Sequence, residues 1–390
     1  MKALKTEVKK HLEEKIIPFW KNLRDDKYGG YYGLLDYNLK LDKNAVKGCI
    51  LNSRILWFFS NAYITLNDKT LLDEAHHAYS FLKNYCIDSK YGGVYWAVNY
   101  DGSVNDDLKH SYNQAFAIYA LSTYYDASKN REALDIAFKL FSLIENTCRD
   151  EGGYLEAFER DFTLMQENEN LSENGINAKR TMNTLLHVFE AYCELYRVSK
   201  NGEVAQKIYF ILDIFREKIY NPEKRRQEVF FDENYNSLID LHSYGHDIET
   251  AWLIDRGCEI LGDSLLCKKM QLITSSLADK VYERAYIDHS LPYEGENDLD
   301  DTRRAWWVQA ETVLGFLNEW EKSGDEKYRL AAYDVWEYIK ENIIDKREGS
   351  EWFSEVDENR QPIKGKPIVE PWKCPYHNGR MCMEIIRRVN

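Results

Sequence analysis

Three short segments of the chain resemble one another. Lys27-Tyr-Gly-Gly-Tyr-Tyr32, Lys90-Tyr-Gly-Gly-Val-Tyr-Trp96 and Glu151-Gly-Gly-Tyr154 each set a glycine turn ahead of an aromatic, strand-like run. Weaker relatives follow at Glu228-Val-Phe-Phe231, Ser290-Leu-Pro-Tyr293 and Gly349-Ser-Glu-Trp-Phe353. With Gly29, Gly92, Gly152, Glu228, Leu291 and Gly349 as markers, the spacings are 63, 60, 76, 63 and 58 residues. Six units of similar length account for the chain, and self-similarity at a fixed period signals a repeat architecture.

Between the markers, apolar residues recur at i, i+3 and i+4, the period of an amphipathic helix. The pattern predicts twelve helices, at residues 5–23, 50–65, 69–86, 110–127, 130–147, 177–198, 202–219, 246–261, 263–283, 304–322, 325–343 and 376–389. Short polar turns such as Asn67-Asp-Lys69, Ser199-Lys-Asn-Gly202 and Ser323-Gly-Asp325 join each even helix to the next odd one. The marker segments join odd to even. Short turns make antiparallel neighbours, so the chain is a ring of six helical hairpins. The expected fold is all-α, an (α/α)6 barrel forming one domain over residues 1–390, with short β-hairpin-like segments in the long loops. All those loops fall at the end where even helices begin, and a site built on a rigid scaffold belongs there. An open helical solenoid that binds a partner on its concave face is the alternative.

Charge narrows the partners. A net charge of −14 and a pI near 5.3 argue against nucleic acid and anionic membranes, which need a basic face. No apolar run reaches the ~20 residues of a membrane span. The first ten residues carry charges where a signal peptide is apolar, so a cytoplasmic location is expected. Eight scattered cysteines fit reduced thiols there. Cys374-x-x-His377 is half a zinc motif with no second half, so no metal site is expected. The 28 Tyr, 16 Phe and 10 Trp, in a chain of mean hydropathy −0.58, suit a carbohydrate cleft.

Residues with useful chemistry cluster near the starts of the even helices. These are Arg54, Tyr112, the pair Asn183 and His187 on one face, His246 with Glu249, Trp306 with Trp307, and Trp372 ahead of His377. The bland readings are core histidines, a buried ion-pair arginine and core tryptophans. His76 and His77 on an outer helix read as structural, and His11 and His289 as surface residues. Three histidines converging on one end of a barrel suggest proton abstraction and return at a sugar carbon, because imidazole serves as acid or base near neutral pH. The helix starts add partial positive charge, which suits a transient oxyanion and biases the histidines toward the neutral form. A two-carboxylate glycosidase using Glu249 and Glu311 is the rival.

Five motifs in order then carry a resemblance. Leu51-Asn-Ser-Arg-Ile-Leu-Trp-Phe-Phe-Ser60, Thr181-Met-Asn-Thr-Leu-Leu-His187, Ser243-Tyr-Gly-His-Asp-Ile-Glu249, Trp306-Trp-Val-Gln-Ala-Glu311 and Trp372-Lys-Cys-Pro-Tyr-His-Asn-Gly-Arg380 resemble the cellobiose 2-epimerases of the N-acylglucosamine 2-epimerase superfamily. The similarity runs from about residue 5 onward. It implies reversible epimerisation at C2 of the reducing-end glucose of β-1,4-linked disaccharides, cellobiose and also lactose, by a monomer without cofactor. It further implies that His246 and His377 move the C2 proton through a cis-enediol(ate) and that His187 assists ring opening. Arg54, Tyr112, Asn183 and Glu249 would hold hydroxyls or orient histidines, and Trp306, Trp307 and Trp372 would contact the sugar. Superfamily enzymes acting on monosaccharides, such as N-acylglucosamine 2-epimerase or mannose isomerase, remain the nearest alternative.

Overall fold

The computed structural model describes residues 1–166, 175–297 and 299–389. Its helices are α1 (2–21), α2 (Cys49–Leu66), α3 (69–86), α4 (Ser111–Ser128), α5 (131–148), α6 (Met182–Ser199), α7 (202–219), α8 (Tyr244–Leu261), α9 (Ser264–Ala285), α10 (Trp306–Ser323), α11 (326–343) and α12 (Tyr376–Arg388). The even helices pack in succession around a ring, and α12 closes it against both α10 and α2. The ring is therefore a closed (α/α)6 barrel, not an open solenoid.

Burial explains which helices lie inside. Every residue from Cys49 to Ala62 of α2 is buried, as is every residue from Ser111 to Tyr124 of α4. A helix buried all round belongs in an interior. The odd helices bury only a stripe, such as Ala133, Leu134, Ala137, Leu140 and Phe141 of α5. All the odd helices except α9 contain a π-turn, in four of them at the C-terminal end: Leu12–Ile16, Leu82–Cys86, Ile144–Cys148, Phe215–Ile219 and Ile339–Ile343.

At the end where the inner helices finish, five connectors share one design. Asn67, Lys129, Lys200, Gly262 and Gly324 end α2, α4, α6, α8 and α10 in the left-handed conformation. The next residue in each case, Asp68, Asn130, Asn201, Asp263 or Asp325, caps the following helix by accepting a backbone N–H. A left-handed C′ residue followed by an Asx cap satisfies orphan groups of both helices in two residues.

The opposite end is stitched rather than merely looped. Lys47–Gly48 pairs with Ala97–Val98, Lys109–His110 with Ala157–Phe158, and Arg180–Thr181 with Phe230–Phe231. Leu241–His242 pairs with Glu294–Glu296, and Arg304–Ala305 with Glu355–Val356. A bridge from Leu35 to Val369 joins the last loop to the first. Hairpins within loops also occur, as between Leu34–Leu35 and Leu41–Asp42, but among the described residues five strand pairs run from one loop to the next.

Buried ion pairs then fix the marker turns. Lys47 binds Asp25 at 2.6 Å, Lys109 binds Asp88 at 3.3 Å and Lys373 binds Glu351 at 2.8 Å, with all six side chains essentially inaccessible. Side-chain amides from the inner helices hold the marker backbone itself. Gln114 both accepts from and donates to Val94, and Gln309 does the same for Leu291. His11, expected at the surface, instead accepts the Trp352 indole N–H at 2.7 Å and packs edge-on against Trp336. Among the described residues no helix is long and apolar enough to cross a membrane.

Candidate active site

A cavity of about 260 Å³ opens where the inner helices begin. Arg54, Tyr112, Asn183, His187, His246, Glu249, Trp306, Trp307, Trp372 and His377 all line it. The loops add Ser243, Tyr293, Glu355 and Lys366 at its wall, residues that no helical pattern singled out.

Trp307 packs near both histidines at the helix starts, its ring 4.7 Å from that of His246 and 5.6 Å from that of His377. Beneath His377 lies a charge network. His377 Nδ1 is 2.7 Å from Glu311 Oε1, which assigns the ring proton to Nδ1 and leaves Nε2 as the free lone pair. Glu311 also accepts from Arg380 Nη2 at 2.7 Å and from the Trp252 indole at 2.9 Å. Arg380 donates further to Glu249 and, at 2.6 Å, to Glu190. Glu190 accepts from His187 Nδ1 at 3.0 Å and from the Tyr376 hydroxyl at 2.5 Å. On the far side, His246 Nδ1 meets Ser243 Oγ at 2.7 Å.

These surroundings set the protonation states. Burial, with a smaller push from His187, drives His246 down to about 3. Burial also holds His377 well below its ordinary value, and the cations Arg380 and Arg54 lower it further. Burial and the neighbouring Glu311 carboxylate raise Glu249 to about 7. Burial would raise Glu190 too, but Arg380, His187 and the Tyr376 hydroxyl together outweigh it and hold that carboxyl down at about 2. Both shifts favour the neutral form of His246 and His377 at pH 7, and their main cause is loss of solvent rather than the helix starts.

A titration follows from this. In NMR spectra neither His246 nor His377 is expected to show a midpoint as high as the model value of ~6.5; a midpoint above it would refute the assignment. The stability consequence has a definite sign. Unfolding takes up protons at these histidines below about pH 6.5, so their contribution is complete above that pH and falls on acidification. Glu249, raised from 4.5 to about 7, acts in the opposite sense between those values and offsets one histidine.

Arg54 donates to the Tyr112 hydroxyl at 2.7 Å and lies over the Phe116 ring at 4.1 Å. Trp372 packs 5.8 Å from Tyr112 and 5.6 Å from Trp96. Among the described residues, four polar atoms, Arg54 Nε, Asn183 Oδ1, Glu249 Oε2 and Trp306 Nε1, are buried without a protein partner, and all four residues line the cavity. Buried polar atoms are normally paired, so these await a polar ligand.

Two other chemistries fit less well. Glu249, Glu311 and His377 place ligand atoms within 4.8 Å of one another, as a metal would require. Arg380 Nη2, however, donates to both carboxylates and already supplies the positive charge. For a glycosidase, two carboxyls must flank the substrate about 5 to 9.5 Å apart. Here Glu249 lines the cavity but Glu311 does not, and both oxygens of Glu311 are committed to His377, Arg380 and Trp252.

Comparison with known proteins places this geometry. The model of the N-acylglucosamine 2-epimerase (GlcNAc 2-epimerase) family matches residues 29–378. The chain belongs to this family. Among N-acylglucosamine 2-epimerase relatives, the cellobiose 2-epimerase of Ruminococcus albus is 53% identical over 98% of each chain. That of Dictyoglomus turgidum is 44% identical over the full length of both. The solved structure of the cellobiose 2-epimerase from Bacillus thermoamylovorans superposes with a TM-score of 0.97 at 45% identity, covering 100% of both chains. Glu190, Tyr376 and Arg380, which tie the network together, were not among the site residues expected from the sequence, although Tyr376 and Arg380 fall in the Trp372–Arg380 motif. Spacing held the signal: Glu190 follows His187 by three residues, and Arg380 follows His377 by three, each pair on one helix face.

Proposed function

We propose that the protein is a cellobiose 2-epimerase, interconverting the gluco and manno forms at C2 of the reducing-end sugar of β-1,4-linked disaccharides. The observation that carries this reading is the pair of imidazoles, His246 and His377, both held toward the neutral form and both packed near Trp307 in one polar cavity. Inversion beside a carbonyl needs a base on one face of the carbon and an acid on the other.

In this mechanism His187 opens the sugar ring, exposing the C1 aldehyde. One imidazole takes the C2 proton, and the electron pair moves into a C1–C2 double bond, giving a cis-enediolate. The Arg54 guanidinium and the helix N-termini stabilise its oxygen. The second imidazole returns a proton to the opposite face, and the ring recloses. His377 carries Glu311 behind it to stabilise its imidazolium, while His246 carries only the Ser243 hydroxyl. Trp306, Trp307 and Trp372 supply flat faces for the sugar, and Asn183 and Glu249 take hydroxyls. Support for a disaccharide comes from the names of the close relatives and from the cavity's continuation past the histidines to Tyr293, Glu355 and Lys366. No cofactor enters any step.

Incubation with cellobiose in D2O tests the reading. Deuterium is expected at C2 together with formation of 4-O-β-D-glucosyl-D-mannose. Exchange confined to free monosaccharides would instead favour the monosaccharide enzymes of the superfamily, and no exchange with any aldose would sink the enzymatic reading.

A further inference from the structure

Two histidines of the site rest on carboxylates that lie outside the cavity. Glu311 holds Nδ1 of His377 and Glu190 holds Nδ1 of His187, yet neither glutamate lines the cavity wall. Each can act only through its imidazole. The two dyads meet at Arg380, whose Nη1 binds Glu190 at 2.6 Å and whose Nη2 binds Glu311 at 2.7 Å. A shared guanidinium favours the charged form of both carboxylates, so each histidine has its own counter-ion. Tyr376 adds a hydroxyl bond to the Glu190 oxygen that faces His187.

We propose that Glu190, fixed by Arg380 and Tyr376, is a positioning residue that dedicates His187 to opening and closing the sugar ring, so that anomer interconversion is an activity separable from C2 epimerisation. The proposal rests on the epimerase reading. With Nδ1–H donated to Glu190, the His187 Nε2 lone pair is free for the substrate. It removes the O1 proton; the O1 electrons form the carbonyl as the C1–O5 bond breaks. The same proton is then delivered to O5, which is bonded to the same carbon, so a single imidazole suffices. Glu190 stabilises the imidazolium between the two transfers. Rotation about C1–C2 and reclosure yields the other anomer, with no proton leaving C2. His187 is suited to this task by its neighbours, since Tyr112 packs edge-on at 5.1 Å and Phe116 at 4.7 Å, fixing the ring plane.

The test compares wild type with Glu190→Gln, which keeps the volume and removes the charge. Two readouts are followed: interconversion of a freshly dissolved single anomer by NMR, and the isotope effect on kcat/KM with cellobiose deuterated at C2. Wild type is expected to accelerate anomer interconversion. E190Q is expected to slow it by roughly tenfold or more, and its C2 isotope effect should fall toward one as ring opening becomes limiting. Glu311→Gln should move the isotope effect the other way, because it weakens the C2 step. A folded E190Q with wild-type isotope effect and anomer rate would overturn the proposal, leaving Glu190 as a plain partner of Arg380. Should E190Q fail to fold, Tyr376→Phe removes one donor to the same oxygen and is expected to shift both readouts in the same direction; no shift there overturns the proposal equally. A wild-type enzyme that places no deuterium at C2 would instead overturn the epimerase reading itself.

Discussion

His377→Asn is expected to fold normally and to epimerise cellobiose roughly 10²–10⁴-fold more slowly than wild type, the range for loss of one general acid–base group. The effect should fall on kcat, with KM little changed, because the imidazole acts on the proton in flight rather than on the resting sugar. His246→Asn should show a loss of similar size, since a proton that leaves one face must be returned on the other. The two sites are not equivalent, however. His377 sits over Glu311, 2.7 Å away, whereas His246 has only a hydroxyl behind it. Steady-state rates on cellobiose and on its epimer check this. An epimerisation rate within tenfold of wild type in either variant would remove that histidine from the acid–base pair.

Arg380→Met should cost about 3–5 kcal/mol of stability, the usual penalty for stripping a buried charge network of its partner. Arg380 is 1% exposed and touches Glu190, Glu249 and Glu311, all buried. Methionine leaves three carboxylates competing for protons in a dry interior. Urea unfolding checks the magnitude. A double-mutant cycle sharpens it: R380M combined with Glu249→Gln should lose less than the sum of the single losses, because the second change relieves part of the repulsion left by the first. Additive losses would mean that the network is not coupled as the distances indicate.

Much of this was legible in the sequence, for identifiable reasons. Twelve helices could be read because the inner and outer ones alternate between nearly continuous burial and a single apolar stripe. Boundaries held to a few residues except at α6, expected from residue 177 and observed from Met182. There Arg180–Thr181 is drawn into strand pairing with Phe230–Phe231 of the next loop, a long-range contact that no local window contains. The markers faded where glycine was absent. Gly29 and Gly92 take positive φ, but before Leu291 the same backbone is supplied by Asp288 and His289, with φ of 53° and 59°, so the sequence signature weakened while the geometry persisted. The site residues were found because their helix-start positions repeat. Glu190 was not, and Arg380 was read only as the end of the Trp372–Arg380 motif, because a buried charge one turn deeper looks like any polar residue on a helix until its neighbours are known. The loop-to-loop stitching was equally hidden, since its partners lie tens of residues apart.

The five two-residue connectors where the inner helices finish divide the molecule by tolerance to insertion. Each connector must supply a left-handed residue and then an Asx cap, so a single extra residue there puts the cap out of phase and loosens a hairpin. Extra residues in the loops at the other end meet no such phase constraint where they fall outside the strand pairs and the marker turns held by buried ion pairs and side-chain amides. Lengthening can therefore accumulate at the mouth alone, where it changes which sugar enters without disturbing the helices that hold the histidines.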